Sequence, residues 1–187
     1  MKSKLIFISV LLFPLYASTQ LFYKDTVHLG FGAGIGWPYE YNKTLYSHTS
    51  ALPSFNFEIE RGFFNYDSIF TFSLGLRGTY KYVASNKPNS KAYWHNIVVG
   101  PVAKLYFVYF NHKGYIPYVG IMGGVNAITF KDNAFLNSNF YPIDYNGVYP
   151  LLYGFIGAKY QSSPKFGIFG EASWGFAYAT LGVYLNL

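Results

Sequence analysis

The chain has 187 residues, of which 12% are charged and 22% aromatic, with 20 Tyr, 19 Phe and 19 Gly. That is enough for one domain, and about half the roughly 25% charged content of a soluble one, which argues against a water-facing exterior. The absence of cysteine excludes disulfides, thiolate metal sites and a lipidated amino-terminal Cys, and the net charge of +6 lacks the basic cluster that nucleic acid requires.

Residues 1–19 read as a cleaved signal peptide, with Lys2 and Lys4 before a twelve-residue run from Leu5 to Tyr16, and with Ala17 and Thr19 at the minus-three and minus-one positions. Without the two lysines the charge falls from +6 to +4, a mild excess that suits an anionic lipid surface. The run is too short for a membrane helix, which needs roughly 20 residues. As no other segment qualifies, a membrane protein built from residues 20–187 would have to be a barrel.

Those residues read as eight strands. The first, Val27 to Trp37, sets Val27, Leu29, Phe31, Ala33, Ile35 and Trp37 against Gly30, Gly32, Gly34 and Gly36. All four glycines lie on one side, where close backbone approach is expected. A dinucleotide-binding reading fails, because positions 35 and 37 are Ile35 and Trp37 and no helix follows. After a polar loop, Pro38 to Ser54, the second strand (Phe55 to Phe63) alternates Phe55, Phe57 and Ile59 with Asn56, Glu58 and Glu60. A turn at Asn65 to Ser68 leads to the third, Ile69 to Tyr82, where Leu74, Leu76 and Tyr80 oppose Ser73, Arg77 and Lys81.

A second polar loop, Val83 to Tyr93, precedes the fourth strand, Trp94 to Phe107, whose Lys104 points inward. The fifth, Tyr115 to Ile128, follows a turn at Asn111 to Gly114, and the longest loop, Thr129 to Pro150, comes next. The sixth (Leu151 to Tyr160) carries Lys159 inward, and the seventh (Phe166 to Trp174), after a turn at Gln161 to Lys165, carries Glu171 inward. A tight connection at Gly175 to Ala177 delivers the last strand, Thr180 to Leu187, whose odd positions Leu181, Val183, Leu185 and Leu187 are all apolar.

Alternation that runs to the final residue demands a partner, because its two faces need different solvents. Eight is even, so the first strand can close on the last in antiparallel fashion. A strand of about 10 residues, tilted about 45°, covers roughly 23 Å, close to the apolar band of about 25 Å in membrane barrels. Aromatic residues collect at both strand ends. Trp37, Tyr80, Tyr82, Trp94, Phe130, Tyr149, Trp174, Phe176 and Tyr178 are expected at the outer rim, and Phe63, Phe64, Tyr66, Phe107, Tyr109, Tyr115, Tyr160 and Phe166 at the periplasmic one. The expected fold is all-β: an eight-stranded antiparallel up-and-down transmembrane β-barrel.

The charges decide which face is inside. Glu58, Glu60, Arg77, Lys81, Lys104, Lys159 and Glu171 all fall opposite the apolar stripes, so they line the lumen if the stripes meet lipid. A secreted lipocalin-like barrel, the soluble alternative, would reverse this polarity. An eight-stranded barrel is just wide enough for side chains to fill, so three acids and four bases are expected to pair and plug it. Removing one partner would cost roughly 3–5 kcal/mol.

His28, His48, His95 and His112 are scattered without metal-ligand spacing, so no metal or cofactor is expected. The Ser and acid candidates for catalysis, Ser50 beside His48 and Ser173 beside Glu171, lack a complete Ser/His/acid set. No enzyme is expected. A lipid A-modifying activity is the catalytic alternative.

The glycine-alternating Leu29 to Trp37, Pro117-Tyr118-Val119-Gly120, the inward Glu171 in Phe169-Gly170-Glu171-Ala172 and the closing Thr180 to Leu187 together resemble the small eight-stranded outer-membrane proteins of the OmpA transmembrane domain and OmpX type. That resemblance implies a monomer in the outer membrane of a Gram-negative bacterium, in contact with lipid and lipopolysaccharide. It implies that the barrel-assembly machinery reads the terminal signal carried by Thr180, Gly182, Leu185 and Leu187. The role it implies is structural or adhesive, with the three longer loops presenting Tyr39, Tyr41, Tyr46, Phe135, Phe140 and Tyr145 to an extracellular protein partner.

Overall fold

The computed structural model describes residues 24–36, 49–67, 69–87, 90–110, 114–132, 146–175 and 177–187. The signal segment 1–19, Trp37, His48, His112, Phe176 and the six loop aromatics named above lie outside the described residues.

Among the described residues, alternating side chains become nine strands: β1 (Val27–Ile35), β2 (Thr49–Ala51), β3 (Ser54–Tyr66), β4 (Phe70–Lys87), β5 (Ser90–Tyr106), β6 (Tyr115–Asp132), β7 (Gly147–Ser163), β8 (Phe166–Ser173) and β9 (Ala179–Asn186). A 3-10 turn, Val108–Phe110, lies between β5 and β6. Each barrel strand pairs antiparallel with its neighbours in sequence, and β1 pairs with both β3 and β9, closing a ring of eight. The short β2 lies along the far end of β4, with Ala51 opposite Val83. The closing register sets Gly30 against Tyr184, Gly32 against Gly182 and Gly34 against Thr180. Leu187 N donates to the Val27 carbonyl at 2.9 Å, so pairing continues to the last residue.

The wall is uneven. β4 and β6 have 18 residues, whereas β1 has 9 and β8 and β9 have 8 each. Eighteen tilted residues rise about 42 Å, far beyond an apolar band of about 25 Å, so β4 to β7 stand well above the seam. The loop expected at Val83 to Tyr93 is not one. The structure replaces it with ladder, pairing Val83 with Trp94, Ala84 with Tyr93, Ser85 with Ala92, Asn86 with Lys91 and Lys87 with Ser90. The backbone pairing of β4 with β5 simply runs on, because strands of 18 and 17 residues outlast the apolar band.

The polarity of the two faces is inverted relative to a soluble barrel. Phe31, Leu76, Ile97, Ile121, Ile156 and Leu181 are exposed on the outside. Inside, the β5 to β7 wall contributes Val98, Val102, Tyr106, Ile116, Tyr118, Met122, Tyr153 and Phe155. Towards the outer end Val83, Ala92, Trp94 and Ile128 form a second buried cluster with Phe130 against it. Trp94 and Phe130 therefore leave the outer aromatic rim expected from sequence and stack on each other, centroids 5.0 Å apart. Their positions continue the inward rows of β5 and β6, and parity outweighs the preference of aromatic rings for the headgroup level. Inward glycines make room for rings. A Cβ on Gly182 would come within 2.4 Å of the Phe169 ring, and one on Gly157 within 2.6 Å of the Tyr118 hydroxyl.

Candidate functional site: a charged knot inside the barrel

β3 supplies the centre. Its period of two turns Glu58 and Glu60 inward from successive inner positions, and β4 places Arg77 directly opposite Glu58. β5 brings Lys104 beside Ser73, β7 brings Lys159, β8 brings Glu171 and β1 sets His28 opposite Glu60. All are buried.

Arg77 holds two carboxylates at once. Its Nε donates to Glu58 Oε2 at 2.6 Å, with Nη2 2.5 Å from the same oxygen, and Nη2 donates to Glu171 Oε1 at 2.6 Å. The Lys104 ammonium pairs with Glu58 and stands 3.3 Å from Glu60 Oε2 and 3.8 Å from Glu171 Oε1, so it touches all three acids. Lys159 pairs with Glu60 and lies 3.0 Å from His28 Nδ1. Hydroxyls complete the shell: Tyr106 donates to Glu60 Oε1 at 2.6 Å, Ser73 to Glu60 Oε2 at 3.2 Å and Tyr118 to Glu171 Oε1 at 2.9 Å.

Aromatic faces cover the cations. The Arg77 guanidinium lies 4.6 Å from the Phe155 centroid, Lys104 5.1 Å from Tyr118, and Lys159 4.8 and 4.9 Å from Tyr184 and Tyr106. His28 stacks on Tyr184 at 5.3 Å. Three acids face three bases, so charges that would be prohibitive alone are neutralised as a group and held by short, charge-assisted hydrogen bonds. A cavity of about 10 Å³ remains among His28, Gly30, Glu58, Glu60, Lys104, Lys159, Phe169 and Tyr184, near the lower limit for one water molecule.

Of the seven charges singled out in the sequence, six converge here. Lys81 lies four residues beyond Arg77 on β4, outside this set of contacts, where its ammonium donates to the Gly36 carbonyl at 3.3 Å. Tyr106, Tyr118, Ser73 and His28 join the knot although the sequence does not mark them as its members. Each occupies an inward position by parity, which was the available signal, but alternation says only that a residue is inside and not what it touches. His95 lies elsewhere, on the outer face, with its Nδ1 2.8 Å from the Tyr80 hydroxyl. The other catalytic candidates separate as well: Glu171 is engaged with Arg77, Ser173 Oγ donates to the Ala177 carbonyl, and Ser50 lies on β2.

At the closing strand Thr180 is buried and lies 3.5 Å from Asn56 Nδ2. Gly182 opposes Gly32 and Phe169, Leu185 opposes Leu29 and Phe166, and both Leu185 and Leu187 are exposed.

Comparison with protein-family models gives no match, and comparison with curated proteins gives none either. Among solved structures, the N-terminal β-barrel domain of Pseudomonas aeruginosa OprF is similar at 18% identity and a TM-score of 0.44, over 88% of this chain and 98% of that one. Ail, the attachment invasion locus protein of Yersinia pestis, in complex with the heparin analogue sucrose octasulfate, is similar at 9% identity and a TM-score of 0.43, over 88% and 96%. A second structure of Ail gives 12% identity and a TM-score of 0.36 over the same shares. The eight-stranded architecture rests on the strand registers of this chain itself.

Proposed function

We propose that this chain is an outer-membrane β-barrel of a Gram-negative bacterium, a monomer with a plugged lumen, whose role is structural or adhesive and is exercised at its outer end. One observation carries the reading: the charges are inside and the large apolar side chains outside. A secreted ligand-binding barrel would carry the opposite arrangement, since burying six charges while leaving Phe31, Leu76 and Ile121 in water would lose on both faces. The knot occupies the width through which an ion would pass, which favours a plug over a pore. It also commits Glu171 to Arg77, which favours a structural acid over a catalytic one.

Two measurements test this. Outer-membrane fractions should contain the protein in a form that migrates faster on gels before heating than after, and recovery as a soluble periplasmic or secreted species would sink the membrane reading. In planar bilayers the pure protein should give no large steady conductance. An open, stable channel would remove the plug.

The closing strand adds a proposal about biogenesis, in which Thr180, Gly182, Leu185 and Leu187 form the signal read by the assembly machinery. Leu187→Asp places a charge on the lipid-facing row and should reduce the assembled fraction. Asn186→Asp, on the inward row beside the Pro164 carbonyl, should be milder. Equal tolerance of both would mean that the faces of this strand do not matter to assembly.

A further inference from the structure

We infer that the outward face of β4, β5 and β6, just beyond the apolar belt, binds the phosphate of a lipid headgroup through His95 and Lys131. The inference rests on the membrane reading above and names a ligand for one part of its surface.

The three strands are in continuous register, so their outward side chains form rows across the sheet. Gly78, Val99 and Val125 make one row, Tyr80, Ile97 and Ala127 the next, Tyr82, His95 and Thr129 the third, and Ala84, Tyr93 and Lys131 the fourth. Ascending these rows, the surface passes from aliphatic to tyrosine and then to cationic. Ile97 and Val99 are half exposed, and Thr129 and Lys131 are exposed.

His95 is held in place. Its Nδ1 is 2.8 Å from the Tyr80 hydroxyl, and the Tyr82 and Tyr93 ring centroids lie 5.1 and 6.1 Å from its own, with Tyr93 edge-on. When Tyr80 donates to Nδ1, the neutral imidazole carries its proton on Nε2, across the ring, as a donor. Lys131 is diagonal to His95 on the adjacent strand, a separation that long side chains bridge. No acid occupies an outward position in these four rows.

An imidazole fixed by Tyr80 and an ammonium diagonal to it, with no carboxylate among the described outward residues of these rows, select an anion. The aliphatic rows immediately below select an anion joined to hydrocarbon. The occupant that satisfies both is a lipid phosphate, with its acyl chains along Ile97, Val99 and Val125 and its phosphate at His95 and Lys131.

The test uses the wild-type barrel, the double variant His95→Ala with Lys131→Ala, and the single variant Lys131→Glu. Each is placed in bilayer discs doped with bis-phosphorylated lipid A or its dephosphorylated form, and the retained glycolipid is read by native mass spectrometry. Wild type should retain the phosphorylated form by about tenfold, equivalent to about 1.4 kcal/mol. The double variant should retain both forms equally, and Lys131→Glu should favour the dephosphorylated one. Equal retention by the wild type, an unchanged preference in the variants, or displacement by inorganic phosphate as readily as by lipid A would overturn the site. A wild-type chain that neither enters the bilayer nor shows heat-dependent migration would overturn the membrane reading and this site with it. An inserted barrel without phosphate preference overturns the site alone.

Discussion

Arg77 at mid-barrel and Trp94 towards the outer end are both large, inward and out of contact with solvent, at 5% and 0% exposure, yet they are held by different physics. Arg77 is defined by two named carboxylates and one ring face. Trp94 is defined by volume, in a cluster with Val83, Ala92 and Ile128 and under Phe130. In the knot, the identity of each partner matters and a loss leaves a charge uncompensated in a low-dielectric interior. In the cap, neighbours are interchangeable to the extent that they fill the same space. The contrast also explains the outer face. On the proposed membrane reading, lipid tails are as apolar as the leucines they would touch, so the outward rows would discriminate little between registers and the inward rows carry the specificity.

The comparison breaks most visibly at Arg77. Arg77→Ala strands Glu58 and Glu171 and should destabilise the barrel by about 3–5 kcal/mol, measured by urea unfolding in lipid vesicles. Arg77→Met combined with Glu171→Gln leaves two acids facing two bases and should recover most of that loss, so a double-mutant cycle should show strong coupling. A cost below about 1 kcal/mol for Arg77→Ala would place the pair in the range of solvated surface bridges and end the distinction between knot and cap.

The sequence exposed the two regions unequally, for the same physical reason. Glu58, Glu60, Arg77, Lys104, Lys159 and Glu171 were legible because a charge opposite Phe57, Leu76 or Ile168 can only be on the other face. The ring closure was legible in the alternation of Leu181 to Leu187. The cap was not, because apolar residues at inward positions look like membrane-facing residues until the register is known, and Val83 to Tyr93 carries enough polar residues to read as a loop. Trp94 and Phe130 were misplaced at the rim on residue type, where parity along β5 and β6 decides. Tyr106, Tyr118 and His28 were hidden differently: their contacts cross the lumen between strands far apart in sequence, and no local pattern reports them.

An intermediate effect separates partner from ring within the knot. Tyr106 lies under Lys159 and also donates to Glu60. Tyr106→Phe keeps the ring and removes one hydrogen bond to a charged acceptor, which should cost about 1.5–3 kcal/mol in the same unfolding measurement. A neutral result would assign the stabilisation by Tyr106 to its ring.

The smallest effect is expected in the cap, at Ile128, which faces inward from β6 opposite Asn96. Ile128→Val removes one methylene from a site defined by volume, and such changes cost about 0.5–1.5 kcal/mol. No partner is stranded, so the substitution should leave bilayer conductance at the wild-type level, whereas Arg77→Ala, by removing a large side chain from the charged knot, should raise it. Coupling between the two sites should be near zero, as neither lies in the other's set of contacts. If Ile128→Val cost as much as Arg77→Ala, or if the two were strongly coupled, the cap and the knot would be one cooperative layer, and the division of the lumen into a charge-defined and a volume-defined region would fail.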